Sequence, residues 1–132
     1  MSRGNVEIAR RMYDAYAQGD FDATFSCLDP EIEFSQPVGE PGAGIYHGHA
    51  GVRQAMTRWA GAWDDYRVQI EGLVDLGEHV LARTRHHGRG KSSGLEVELQ
   101  IFQLLTLRDN RIVRMRMYYD EAEALAAVGP RE

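Results

Sequence analysis

The stretch YRVQIEGLVDLGEHVLARTRHHGRGKSSGLEVELQIFQLLTLRDNRIVRMRMYY, residues 66–119, decides the fold. Apolar and polar residues alternate along four successive segments of this stretch, which is the pattern of strands in a sheet. On one side the positions are apolar apart from His86, Thr84 and Gln103, and no acidic residue lies among them. An apolar wall with a few isolated polar groups is typical of a small-molecule pocket. The pattern therefore predicts a ligand cavity more strongly than it predicts a reaction.

Turn residues separate the four segments. Gly77-Glu78 predicts a hairpin turn, residues 88–94 a hairpin tip, and Arg108-Asp109-Asn110 a tight turn. The last two strands are then expected over residues 95–107 and 111–119. Strands joined by such short turns form an antiparallel meander.

Helices are predicted on either side of a short strand that precedes the meander. The first has Asn5 as its N-cap and ends at Gly19, and Asp20 caps a second helix over residues 21–28. A third helix is expected from about Ala50 to Trp63. Helices followed by a meander predict an α+β fold, with N-terminal helices packed on a curved, mostly antiparallel sheet that encloses a pocket.

Three further segments carry signals of local structure. Asp29-Pro30 predicts a turn, and residues 31–35 alternate as a short strand does. Residues 37–44 contain two prolines and three glycines, which predicts a loop that serves either as a lid or as a plain connector. Asp120 and Glu123 resemble a capping box for a short final helix.

Length and composition limit the functional classes. The 132 residues predict a single domain, 1–132, and the net charge of −5 disfavours a nucleic-acid partner. The lone Cys27 excludes an internal disulfide and favours a reducing cytoplasm. We expect no signal peptide and no membrane partner, because no apolar run approaches the roughly 20 residues that span a bilayer.

The outward-facing positions of the meander are charged. If the strands are sequential neighbours, they predict a basic–acidic–basic ladder, which is either a solvated face or the interface of a homodimer. The positions are Arg83, Arg85, Glu96, Glu98, Gln100, Arg114 and Arg116.

Short motifs along the chain point to a family. They are residues 11–13 and 18–22 (RMY and QGDFD), 28–34 (LDPEIEF), 46–48 (YHG), 108–113 (RDNRIV) and 118–120 (YYD). On these the chain resembles the SnoaL-like, ketosteroid isomerase-like branch of the nuclear transport factor 2-like superfamily. The resemblance implies a cone-shaped fold whose curved sheet wraps a deep pocket. It implies little about activity, because one fold hosts many functions.

Ketosteroid isomerases place a general-base aspartate where this chain has Gln36, and a protonated aspartate where it has Gln103. Their tyrosine on the first helix falls near Met12, with Tyr13 and Tyr16 alongside. An amide donates a hydrogen bond to a carbonyl oxygen but does not remove a proton from carbon. The resemblance therefore implies that the pocket and one oxyanion donor are kept while the usual base is absent.

Two residues remain as acid–base candidates. Epoxide-hydrolase-like relatives use a carboxylate where this chain has Met117, whereas SnoaL-like cyclases use a pocket aspartate or histidine. His86 fits that role, since its reference pKa lies near 6.5; otherwise it is a hydrogen-bonded histidine at the pocket mouth. Asp120 is the second candidate, although its position also suits a helix cap.

The predicted ligand contacts combine the polar positions with neighbouring aromatic residues and methionines, which could equally be core. They are Tyr13, Tyr16, Gln36, Trp59, Trp63, Thr84, Gln103, Met115, Met117 and Tyr119. No metal or other cofactor is predicted, because His47, His49 and the pair His86-His87 complete no ligand set.

Three functional hypotheses follow from the sequence. The chain binds a small hydrophobic oxygenated molecule of polyketide, steroid or terpenoid type; it isomerises or cyclises such a molecule; or it is a dimeric interaction domain. On the first hypothesis, Gln103→Leu should abolish binding and barely affect folding.

Overall fold

The computed structural model describes residues 2–36 and 44–128 of the chain. Its elements, in order, are α1 (Ser2–Ala17), α2 (Phe21–Ser26), β1 (Leu28–Gln36), β2 (Gly44–His47), α3 (Gly48–Ala60), β3 (Trp63–Leu76), β4 (His79–Gly90), β5 (Glu96–Arg108), β6 (Arg111–Tyr118) and α4 (Glu121–Val128). The strands form one sheet in the order β2-β1-β6-β5-β4-β3. Only the β1–β6 pairing is parallel, so the predicted α+β fold with a mostly antiparallel sheet is confirmed.

Helices α1 to α3 pack on the inner face of this sheet. Their apolar residues join those of β1, β4, β5 and β6 in one main core. The side chains of Ile32 and Leu105 are completely buried there. The cavity described below lies within this core, since Met12, Phe34 and Met115 belong to the core and also line the cavity.

Helix α4 packs on the opposite, outer face. Its Ala124 joins Leu81 and Phe102 in a separate apolar cluster, with Tyr118 at its border. Helices that accompany a meander are expected to pack on one face of its sheet, and α1 to α3 do so, whereas α4 packs on the other face. Leu81 and Phe102 occupy outward positions among charged residues, and the alternating pattern alone does not show that a helix covers them.

Several predicted boundaries move by a few residues. Asn5 lies inside α1 rather than at its N-cap, and its Nδ2 donates a hydrogen bond to the Gly77 carbonyl 3.0 Å away. Helix α2 ends at Ser26. Asp29-Pro30 belongs to β1 instead of a turn, at a register irregularity where proline is tolerated. Helix α3 ends at Ala60, so Trp63 begins β3.

The predicted tight turn after β5 is confirmed. Asp109 and Asn110 have φ of 52° and 64°, the left-handed values that such a two-residue hairpin turn needs. A register shift near it leaves Val113 without a partner in the β5–β6 pairing. The preceding Ile112 is completely buried, while Val113 is half-buried. Strict alternation along β6 predicts that Val113 faces inward with Met115 and Met117, and the bulge is the reason it does not.

The charged outer face departs from the predicted ladder. Strand β6 pairs with β5 only from Phe102 onward, so its arginines lie beyond the reach of Glu96 and Glu98. Those two glutamates pair with β4, where Arg85 contacts Glu98 at 3.2 Å. Arg114 instead contacts Glu33 of β1 at 3.4 Å. Among the described residues, the predicted acidic positions Glu96 and Glu98 therefore form ion pairs with β4 and not with β6.

Of the loop predicted over residues 37–44, residues 37–43 lie outside the described residues, and with them the question of a lid. Gly44 begins β2, a strand that the sequence pattern did not predict. None of the described helices is long and apolar enough to cross a membrane.

Candidate functional site

A cavity lies between α1, α3 and the inner face of the sheet. Its walls are mainly apolar, and its polar groups are two amides, three tyrosines, one threonine, one histidine and the indole N–H of Trp59. The lining residues are Met12, Tyr13, Tyr16, Thr24, Leu28, Phe34, Gln36, Val52, Met56, Trp59, Tyr66, Val68, His86, Ile101, Gln103, Met115 and Met117. Its volume, counted as the space open to the centre of a water-sized sphere, is about 80 Å³. One water needs roughly 10–15 Å³ on this measure, so the cavity has room for a compact organic molecule.

Gln36 is the most unusual of the lining residues. It stands at the end of β1, and only 9% of its surface is exposed. Its Oε1 is buried and has no hydrogen-bond partner in the structure as described. A buried amide oxygen without a partner is rare, because it costs about 1–3 kcal/mol relative to water.

The second amide, Gln103, is paired. It lies in the middle of β5, opposite Met117 of β6, and its Oε1 accepts a hydrogen bond from the Tyr13 hydroxyl of α1. Burial raises the pKa of Tyr13, with a smaller contribution from Tyr16, so this hydroxyl keeps its proton. Gln103 still has its amide N–H groups, which can donate to a bound molecule.

His86 of β4 has hydrogen bonds at both ring nitrogens. Its Nδ1 contacts the hydroxyl of Tyr66, and its Nε2 lies 2.9 Å from Oγ1 of Thr84. Thr84 Oγ1 donates to the Ile101 carbonyl, also at 2.9 Å. Because a hydroxyl has one proton, Thr84 accepts from His86, which therefore carries its proton on Nε2.

Burial lowers the pKa of His86 to about 4, and the nearby His87 lowers it further in the same direction. The ring is thus neutral at pH 7. No Asp, Glu, Lys or Arg is found among the described residues that line the cavity. The site is therefore uncharged, which favours neutral molecules over ions.

Most of the predicted ligand contacts lie on the cavity wall. Seven of them do so: Tyr13, Tyr16, Gln36, Trp59, Gln103, Met115 and Met117, as does the acid–base candidate His86. Helices α1 and α3 and strands β1, β4, β5 and β6 bring these residues together from distant parts of the chain.

Four predicted site residues lie elsewhere. Thr84 stands behind His86 with no exposed surface. Trp63 packs beside Trp59, 5.8 Å between ring centroids, but its position in β3 places it outside the cavity. Tyr119 follows β6 and is 38% exposed. The Oδ1 of Asp120 accepts the backbone N–H of Ala122 at 2.8 Å, so the carboxylate caps α4.

Tyr66 and Val68 are lining residues that the sequence analysis left out of the site. Both alternate with charged residues in β3, and that alternation does predict that they face inward. The partnership of Tyr66 with His86 depends on the register of β3 against β4, in which Val68 lies opposite His86. Sequence alone does not determine that register.

Within residues 2–36 and 44–128, no three His, Cys, Asp or Glu side chains lie close enough together to hold a metal ion.

A family profile for the SnoaL-like domain matches residues 9–115, most of the chain. The chain belongs to the SnoaL-like domain family. The resemblance inferred from the sequence motifs is thereby confirmed. A comparison with curated protein sequences gives no significant match.

Solved structures agree on the fold. A nuclear transport factor 2-like protein from Burkholderia pseudomallei K96243 has a TM-score of 0.80 at 18% identity, over 96% of this chain and 98% of that one. A SnoaL-like polyketide cyclase homologue from Jannaschia sp. CCS1 has a TM-score of 0.71 at 21% identity, over 98% and 94%. A protein of ketosteroid isomerase-like fold from Catenulispora acidiphila, solved in complex with trimethylamine, has a TM-score of 0.72 at 18% identity, over 95% and 94%. The SnoaL-like domain therefore has the nuclear transport factor 2-like fold.

Proposed function

We propose that this SnoaL-like domain binds a small, neutral, hydrophobic molecule that carries oxygen, in the cavity between α1, α3 and the sheet. The observation that carries the proposal is the unpartnered Oε1 of Gln36 on a mainly apolar wall. A ligand hydroxyl would supply the missing hydrogen bond and remove the cost of the buried oxygen.

The shape and charge of the site narrow the ligand class. A volume of about 80 Å³ favours compact members of the polyketide, steroid and terpenoid classes, with one or two rings, over large ones. The absence of charged groups from the described wall favours a neutral ligand, because an ion would lose its hydration without gaining a partner. The related Catenulispora acidiphila protein was solved with a different kind of small molecule, trimethylamine.

Acid–base catalysis is the second proposed function, and the hydrogen bond between Tyr66 and His86 favours it. A neutral buried imidazole with a pKa of about 4 is a base of roughly the strength of the isomerase aspartate, whose pKa is about 4.6. A ligand C–H would give its proton to the Tyr66 oxygen while the Tyr66 proton passes to Nδ1 of His86, and the reverse transfer would return a proton to a second carbon of the same ligand. Isomerisation or cyclisation of that kind needs no cofactor.

A homodimer through the outer face is the third proposal. Helix α4 covers the end of this face that carries Leu81 and Phe102, so the free part is the ion-pair cluster around Arg85. Two copies would have to exchange these pairs across the interface. Light scattering, which gives the molar mass in solution, tests this at low and high salt. A dimer held by ion pairs should dissociate more readily as the salt concentration increases.

Thermal unfolding in the presence of a matched ligand pair tests the binding proposal. We expect 2-naphthol, which is neutral, to raise the melting temperature in a dose-dependent way, since a ligand of the native state stabilises it. The anion 2-naphthoate, which has the same ring system, should give no shift. Equal shifts for both compounds, or none for either, would contradict a neutral-ligand cavity.

A further inference from the structure

The hydrogen bonds around His86 form one chain whose direction can be worked out by counting protons. The chain ends at the carbonyl of Ile101, which accepts the single proton of Thr84 Oγ1. Thr84 therefore accepts from His86, and Nε2 carries the ring proton. This assignment follows from the partners alone and fixes the tautomer.

The same counting extends outward to the tyrosines. A neutral imidazole has one N–H, so Nδ1 of His86 has a free lone pair and accepts from the hydroxyl of Tyr66. The Tyr66 hydroxyl donates its one proton in this bond and has none left to donate to a ligand. The protons of Tyr66, His86 and Thr84 therefore all point along the chain toward the Ile101 carbonyl.

Tyr16 and Tyr66 are also within reach from outside. Both line the cavity and, with Phe21, Ala60 and Arg67, an open groove on the surface. A ligand in the cavity therefore meets the Tyr66 end of the chain, where the hydroxyl proton is already donated to His86 and the oxygen lone pairs face outward from that bond. The buried end, at Thr84 and Ile101, has no exposed surface.

We propose that this directed chain makes Tyr66, at its open end, a hydrogen-bond acceptor, so that the site selects a ligand bearing a hydroxyl group. The inference rests on the proposed binding function and names the ligand class: a neutral phenol, enol or alcohol. A ketone or an ether brings only acceptors and meets a lone pair at Tyr66. His86 and Thr84 act as positioning residues, because they set which way the Tyr66 proton points.

Calorimetric titration with two probes tests the selection. We expect wild-type protein to bind 2-naphthol about tenfold more tightly than 2-methoxynaphthalene, in which the hydroxyl is methylated; tenfold corresponds to about 1.4 kcal/mol. His86→Phe removes the acceptor for the Tyr66 proton, so the chain can reverse and present a donor. Measured in a Gln36→Leu background, which removes the other proposed partner of the ligand hydroxyl, the preference for 2-naphthol should then fall to less than twofold.

Two further variants separate selection from fit. Thr84→Val changes a residue outside the cavity but frees His86 to move its proton to Nδ1, so the preference should fall here too. Met117→Leu changes the apolar wall and leaves the chain intact, so both affinities should change together and their ratio should stay. Near-ultraviolet circular dichroism checks that each variant is folded.

The outcomes distinguish the two proposals. If wild-type protein binds both probes equally, or if the preference survives in both His86→Phe and Thr84→Val, the directed chain is wrong while binding stands. If neither probe binds wild-type protein, the proposed function fails and the inference fails with it.

Discussion

The hydroxyl of Tyr13 donates a hydrogen bond to Oε1 of Gln103, and this contact joins α1 to the centre of β5 across the cavity. Both residues are buried, so the bond has no water to replace it. Gln103 is therefore part of the fold as well as of the cavity wall. The other amide, Gln36, has no such structural partner among the described residues.

Gln103→Leu should destabilise the protein, contrary to the expectation from sequence. The substitution leaves the buried Tyr13 hydroxyl without an acceptor, at a cost of about 1–3 kcal/mol. Urea unfolding monitored by circular dichroism measures the loss. Adding Tyr13→Phe removes both partners and should recover part of it. A stability equal to that of wild type in the single variant would show that the bond contributes nothing.

Stability should fall as pH is lowered from 6.5 to 4, and His86 should account for a measurable part of the fall. The unfolded chain binds a proton at a histidine pKa of 6.5, whereas the folded protein binds it only near 4. The unfolded state thus holds more protons in this window, which removes up to about 3 kcal/mol by pH 4.

The matched variant for this effect is His86→Phe, which keeps His79, whose pKa is also lowered mainly by burial. The unfolding free energy of both proteins should be measured from pH 7 to 4. The variant should show a shallower decline. Parallel curves would mean that His86 titrates alike in the folded and unfolded states.

Asp120 should affect stability without affecting binding. Its carboxylate accepts two backbone N–H groups at the start of α4, and it is exposed. Asp120→Ala should cost about 1 kcal/mol, and Asp120→Asn, which can still cap, much less. Titration with 2-naphthol should give the same affinity for both variants. A loss of affinity in Asp120→Asn would show that Asp120 takes part in ligand binding.

The packing of Leu81 against α4 should hold this helix to the sheet more strongly than the ion pair between Arg83 and Glu121 does. Leu81 is completely buried, so Leu81→Ala should cost about 2–5 kcal/mol. The Arg83–Glu121 pair is partly exposed, and Arg83→Gln should cost less than about 1 kcal/mol. Thermal unfolding of both variants compares them, and the reverse order would show that charge holds the helix.

The sequence predicted the sheet well because alternation and turn residues are local signals. The strand over Val80–His86 and the turn at Asp109-Asn110 follow from them directly. The site is less predictable, because its bonds depend on strand register and on helix placement. Nothing local shows that Tyr13 reaches Gln103, that Tyr66 reaches His86, or that a bulge turns Val113 away from the core.

Calorimetry of Gln36→Leu, with and without 2-naphthol, tests the neutral-ligand cavity most directly. Removing a buried amide oxygen that has no partner should raise the melting temperature of the free protein by a few degrees, the effect of about 1 kcal/mol. The same substitution should reduce the shift produced by 2-naphthol, because the ligand loses its partner. A less stable free protein with an undiminished ligand shift would contradict the proposed role of Gln36.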